Sequence, residues 1–145
     1  MSGNSARRTE FLPDEAATLA CGARLAVSLA PGALVFLHGD LGAGKTTLVR
    51  GILRGLGHSD SVKSPTYTIV EPYDFPNYLV YHFDFYRIAD VQELDFIGID
   101  ELVESPALKL VEWPERVQER LPAADVEVRM RVEGEGRRIE IDDRR

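Results

Sequence analysis

Residues 39–47 read Gly39-Asp40-Leu41-Gly42-Ala43-Gly44-Lys45-Thr46-Thr47 and contain a complete G-x-x-x-x-G-K-[ST] pattern. The chemistry of that spacing is phosphate binding. Small residues let backbone N–H groups wrap a di- or triphosphate, the lysine reaches the β- and γ-phosphates, and the hydroxyl of the residue after it ligates Mg²⁺. Asp40 through Thr47 are therefore the candidate nucleotide-binding residues, with Lys45 on the phosphates and Thr46 on the metal. Binding alone is not catalysis; hydrolysis or transfer also needs metal control and an activated nucleophile.

Two acids answer that need. In open α/β sheets the ligand lies outside the carboxyl ends of the strands, so an acid that terminates an apolar strand sits beside the phosphates. Asp84 follows the run Leu79–Phe83, and Glu112 follows Leu108–Val111. Asp84 fits the second acidic motif of phosphate-loop enzymes, which holds Mg²⁺ directly or through water. Glu112 fits either the orientation of an attacking water or the metal shell. Spacing does not decide which carboxylate is nearer the metal. Ser64-Pro65-Thr66 lies after the phosphate-loop helix, where switch loops sit, and makes Ser64 and Thr66 candidates for sensing the γ-phosphate. Arg87 or Arg116 is a candidate for a charge-stabilising role within the chain, and a residue supplied by a partner would fit equally well. His38, His58 and His82 read as strand-end or surface residues, too scattered for a metal cluster. Trp113 reads as core or partner surface, and Cys21 as a buried, inert thiol.

These residues need elements to hold them. Ala33–Leu37 is an apolar run of strand length, and Leu48, Val49, Ile52, Leu53 and Leu56 recur at helical spacing after the glycine loop. Strand, loop and helix in that order aim a helix N-terminus at the anion. Upstream, Asp14 resembles an N-cap for an apolar helix that Pro31-Gly32 stops. Downstream come an extended stretch through Tyr73, the strands ending in Asp84 and Glu112, short helical pieces over 90–104, and a short helix from Pro114 through Arg120. Val126, Val128, Met130 and Val132 alternate with charged residues, and Ile139 and Ile141 alternate back after a turn at 133–136. That pattern predicts an antiparallel hairpin added at the C-terminal end. Residues 1–9 are polar and read as a disordered tail, with 10–145 forming one domain.

Bulk composition narrows the partners. The chain of 145 residues carries 24 acidic against 17 basic residues, a net charge of −7. Such a surface repels a phosphate backbone, so direct nucleic-acid contact, DNA included, is disfavoured while a basic protein partner is not. The pairs Arg137-Arg138 and Arg144-Arg145 are interleaved with acids and read as a solvated mixed-charge edge. No apolar run approaches the ~18 residues that cross a bilayer, and the N-terminus lacks a signal-peptide pattern. A single cysteine excludes an internal disulfide and cysteine-based zinc patterns. The expected address is the cytoplasm. The guanine-reading Asn-Lys-x-Asp pattern is missing, which favours adenine.

With these motifs in place, the chain resembles the TsaE (YjeE) family. The resemblance runs from about Phe11 to Ile141 and rests on the glycine loop, Ser64-Pro65-Thr66-Tyr67-Thr68, Phe83-Asp84-Phe85-Tyr86-Arg87, Leu94-Asp95-Phe96-Ile97-Gly98-Ile99 and Val111-Glu112-Trp113-Pro114-Glu115. It implies an α/β P-loop NTPase fold: a mainly parallel central sheet, helices on both faces and antiparallel strands added at the C-terminal end. It further implies an ATPase, weak alone, with ATP and Mg²⁺ as cofactors, Lys45, Asp84 and Glu112 as catalytic residues, and Thr46, Asp84 and Glu112 on the metal. Its partners would be TsaD and TsaB. TsaD would transfer the threonylcarbamoyl group to adenosine 37 of tRNA, and ATP turnover here would support that assembly. A stand-alone small-molecule kinase and a nucleotide-stabilised binding module are the competing classes; the missing arginine-rich lid argues against the first.

Overall fold

In a computed structural model, residues 6–29, 31–58 and 69–145 are described. Ser64 and Thr66, the switch candidates, lie outside them. Seven strands form one sheet: β1 (Ala6–Leu12), β2 (Leu34–His38), β3 (Val70–Phe75), β4 (Tyr78–Asp84), β5 (Leu108–Glu112), β6 (Val126–Glu133) and β7 (Gly136–Asp143). Their spatial order is β1-β7-β6-β2-β5-β4-β3. The central four, β6-β2-β5-β4, are parallel; β3 pairs antiparallel with β4, and β7 and β1 extend the other side antiparallel.

Two expectations change. Residues 6–9 are not a tail: they pair with β7 in register from Ala6–Asp143 to Leu12–Arg137. Five exposed polar or small residues gave no apolar alternation to read, because backbone pairing holds this edge and only Leu12 is buried. The C-terminal hairpin is also more than an appendage, since β6 lies parallel beside β2 and serves as a central strand.

Helices cover both faces. Helix α1 (Glu15–Ser28) starts where Asp14 caps it, its carboxylate accepting the Ala17 N–H at 2.8 Å. Helix α2 (Lys45–Gly55) packs on α1 over Val35, Leu37, Leu108, Leu110, Val126 and Val128. Their contact is close, because a side chain on Gly22 would lie 2.6 Å from the Leu48 carbonyl oxygen. Short helices α3 (Glu93–Ile97) and α4 (Ile99–Glu104) bury Leu94, Ile99 and Val103 against Phe36, Phe83 and Val111 on the opposite face. The short helix expected over Pro114–Arg120 is two 3₁₀ turns, Pro114–Arg116 and Gln118–Arg120. Val117 between them turns inward to full burial and interrupts the run.

Candidate functional site

Parallel strands β2, β5 and β4 end at the same edge of the sheet, and a cleft of about 630 Å³ opens there. Its walls come from Leu41–Thr47, from Asp84 at the end of β4 with Tyr86 and Arg87 beyond it, from Glu112 and Trp113 at the end of β5, and from Arg137 of β7. The glycine loop takes its shape from left-handed backbone at two ends. Gly39 has φ 152°, and a Cβ there would meet the Met130 carbonyl oxygen at 2.7 Å; Gly44, with φ 102°, caps α2. Only glycine fits such positions without strain. The Asp40 carbonyl accepts the Ala43 N–H at 3.0 Å and closes the turn. Asp40 itself is exposed and does not line the cleft, whereas Leu41 through Thr47 do. The first residues of α2 lie in the wall, so the positive end of its dipole faces the cavity.

Lys45 is only 5% exposed. Its Nζ donates to the Gly39 carbonyl and stands 3.6 Å above the Trp113 ring centroid. Burial pushes this lysine below its ordinary pKa, while the charges of Glu112, Glu115, Asp84 and Asp40 oppose that shift. Trp113, at φ 58°, is the one non-glycine residue of the described chain in left-handed backbone. That conformation costs of order 1–3 kcal/mol and is kept where surroundings enforce it. Here the ring contacts Tyr86 at 4.9 Å and lies under Lys45, so Trp113 is a wall of the site.

Asp84 and Glu112 are direct partners in the β4–β5 register. Glu112 is 3% exposed, and its carboxylate oxygens lie 3.3 and 3.5 Å from the Thr46 hydroxyl. Asp84 accepts the Tyr86 N–H at 3.0 Å. Burial raises Asp84 above the ordinary carboxylate range, Tyr86 works against that, and the charge of Glu112 adds to it. The sheet thus brings Lys45, Thr46, Asp84 and Glu112 to one cavity. Among the described residues no group of three or more His, Cys, Asp and Glu is placed to hold a metal by itself. The donors present are a hydroxyl and two carboxylates, the hard oxygen set that suits Mg²⁺, an ion that keeps waters and binds substrate phosphates instead of a full protein cage.

Two residues escaped the sequence reading. Arg137 is no solvated edge residue: its Nε donates to the Gly42 carbonyl at 3.2 Å and its side chain runs beside Gly44. His82 is no surface residue: it is fully buried, with Nε2 2.6 Å from Glu112 Oε2. Neither placement has a local signal, since both depend on which strand lies next to which. The period-two alternation of 126–141 could have placed Arg137 on one face but not beside the loop. The other histidines stay apart from the cleft, His38 bonding Glu127 at 2.9 Å and His58 packing edge-on to Tyr73. Arg87 lines the cleft, and Arg116 lies behind it, 5.3 Å from the Tyr86 ring. Cys21 is buried, with its thiol pushed up by that burial.

A glycine loop between a parallel central strand and a helix, with acids on the neighbouring strand ends, defines a P-loop α/β domain. A family model described as threonylcarbamoyl adenosine biosynthesis protein TsaE matches residues 12–139. The chain belongs to the TsaE family. It is 45% identical over 138 residues to the tRNA threonylcarbamoyladenosine biosynthesis protein TsaE of Haemophilus influenzae, covering 92% of this chain and 87% of that one. It is 39% identical to the Bacillus subtilis protein of the same name over 74% of this chain and 67% of that one. The crystal structure of Bacillus subtilis YdiB superposes with a TM-score of 0.80 at 28% identity, covering 99% of this chain and 90% of YdiB. No helix among the described residues is long and apolar enough to cross a membrane.

Proposed function

We propose that this chain is a Mg²⁺-dependent ATPase whose cycle supports turnover of a TsaB–TsaD assembly in threonylcarbamoyladenosine modification of tRNA. The observation that carries the reading is the convergence of Lys45, Thr46, Asp84 and Glu112 on one cleft at the N-terminus of α2. Membership of the TsaE family supplies the pathway.

Chemically, the loop 41–47 would wrap the phosphates of ATP. Lys45 exchanges its Gly39 carbonyl and the Trp113 face for phosphate oxygens, a charge-assisted contact stronger than either. The Thr46 hydroxyl and the carboxylates of Asp84 and Glu112 would hold Mg²⁺, which would supply charge neutralisation on the phosphates. Glu112, buried beside the Thr46 hydroxyl, would orient the attacking water, and Arg137 holds the loop from the side of β7. Phosphoryl transfer needs little beyond such positioning and charge stabilisation, and a cation supplied by a partner can add ~10³–10⁵ in rate. The net charge of −7 leaves tRNA contact to the partners.

Multiple-turnover tRNA modification in the reconstituted system tests this. Hydrolysable ATP should sustain many rounds, while a nonhydrolysable analogue should stall after the first. Equal product with the analogue over many turnovers would make the chain a nucleotide-stabilised binding module instead.

A further inference from the structure

His82 touches the site without lining it. Its ring is wholly inside, on the face of β4 that also carries Val80 and Asp84 and looks toward α2. Nε2 lies 2.6 Å from Glu112 Oε2, and Nδ1 is buried with no hydrogen-bond partner among the described residues. A carboxylate accepts, so Nε2 carries the hydrogen of this bond. An unsatisfied buried nitrogen is a cost of placing histidine here, where Leu110 is its register neighbour and an aliphatic residue would pack. Packing does not account for the choice; the bond to Glu112 does.

Glu112 needs that bond. The terminal torsion of a glutamate is broad and two-fold, so its carboxylate plane is set by partners and not by rotamer preference. Thr46 Oγ1 stands 3.3 Å from Oε2 and 3.5 Å from Oε1, too loose to fix the plane. The short contact from His82 is the one that does. We propose that His82 is a positioning residue for the ATPase reaction: its Nε2–H locks the Glu112 carboxylate so that the group stays directed at the Thr46 hydroxyl and the phosphate loop. This rests on the role of Glu112 in ATP turnover proposed above. It extends that reading to a residue outside the cleft wall.

The test compares His82→Leu, which removes the donor, with His82→Gln, whose amide reaches about as far as Nε2. Glu112→Gln and the double variant His82→Leu/Glu112→Gln complete a cycle, all assayed with the partner proteins and tRNA present. Partners that orient a functional group from behind are worth about 10–100-fold, so His82→Leu should lower kcat for ATP hydrolysis by that factor. ATP affinity without Mg²⁺ should stay within about twofold, because the loop that grips the phosphates is untouched. His82→Gln should recover most of kcat. On the Glu112→Gln background, His82→Leu should change kcat by less than about twofold, since residues that act as a unit are not additive. His82→Met serves the same comparison if the leucine variant does not fold.

Three results would overturn the proposal: kcat of His82→Leu equal to that of the unaltered chain, His82→Gln as impaired as His82→Leu, or a double variant impaired by the product of the single effects. If Glu112→Gln alone hydrolyses ATP normally, the role of Glu112 falls and this proposal with it. If Glu112→Gln is impaired and His82→Leu is not, only the role of His82 falls.

Discussion

Replacing Lys45 with methionine should weaken nucleotide binding by about one to two orders of magnitude while leaving the empty domain about as stable as before. Lys45 is buried at the bottom of the cleft. Taking an ammonium out of water costs several kcal/mol. Its hydrogen bond to the Gly39 carbonyl returns about 1.5–3 kcal/mol, and its place over the Trp113 ring about 2 kcal/mol. The two sides nearly cancel. Methionine keeps the length of the stem without the charge, so the apo protein should shift by no more than about 1 kcal/mol, or about 4 °C in Tm. Losing a charge-assisted contact to phosphate should weaken MgATP binding by about 10–150-fold. At a nucleotide concentration of 100 Kd, binding adds about 2.7 kcal/mol of stability to the unaltered chain; a 100-fold weaker variant gains only about 0.4 kcal/mol. Thermal unfolding with and without MgATP reads both quantities in one assay.

The pH dependence gives an independent check on the same side chain. Burial holds Lys45 below its ordinary pKa of 10.5 in the fold. In the alkaline window between the folded and unfolded values the unfolded chain binds more protons, so this group makes apo stability rise with pH there. Lys45→Met lacks that rise. Over the same window the unaltered chain should lose MgATP affinity, because the ammonium proposed to meet the phosphates is being lost. An apo Tm more than about 10 °C lower in the variant, or a MgATP shift equal to that of the unaltered chain, would refute this role for Lys45.

Three further outcomes are expected. Asp84 titrates above the ordinary carboxylate value, so the Mg²⁺-dependent part of nucleotide affinity should fall on acidification earlier than for an unperturbed aspartate, and Asp84→Asn should remove that pH dependence in calorimetric titrations. Gly39→Ala places a Cβ 2.7 Å from the Met130 carbonyl oxygen at φ 152°, so it should cost about 1–3 kcal/mol in denaturant unfolding and displace the loop enough to weaken ATP binding. Arg137→Ala removes the donor to the Gly42 carbonyl; ATP affinity should drop by about 5–13-fold, corresponding to a net hydrogen bond of about 1–1.5 kcal/mol, with Tm changed by only a few degrees.

The site was legible to the extent that its chemistry is local. Gly39–Thr47 carry their own geometry, because left-handed glycines and a helix start are properties of adjacent residues. Asp84 and Glu112 were legible because a strand end is visible in sequence and the parallel topology puts such ends together. His82 was not legible, since its burial comes from lying beside β5 and under α2, a fact about neighbours 30 residues away in sequence. Arg137 was hidden for the same reason: its pairing partner is Leu12 and its target is Gly42, in two other segments. Strand β1 gave no hydrophobic pattern because it is an edge held by backbone bonds. Trp113 looked like core or partner surface until its φ of 58° turned the ring over Lys45.

The most direct measurement is phosphate released per modified tRNA, followed over many turnovers with TsaB and TsaD present and compared with the ATPase rate of the isolated chain. The expected result is slow hydrolysis alone, a large stimulation by the partners, and a fixed ratio of phosphate to product, with both rates lowered together in Lys45→Met and Glu112→Gln. An ATPase rate indifferent to the partners, or tRNA turnover undiminished in those variants, would contradict a regulatory ATPase at this cleft.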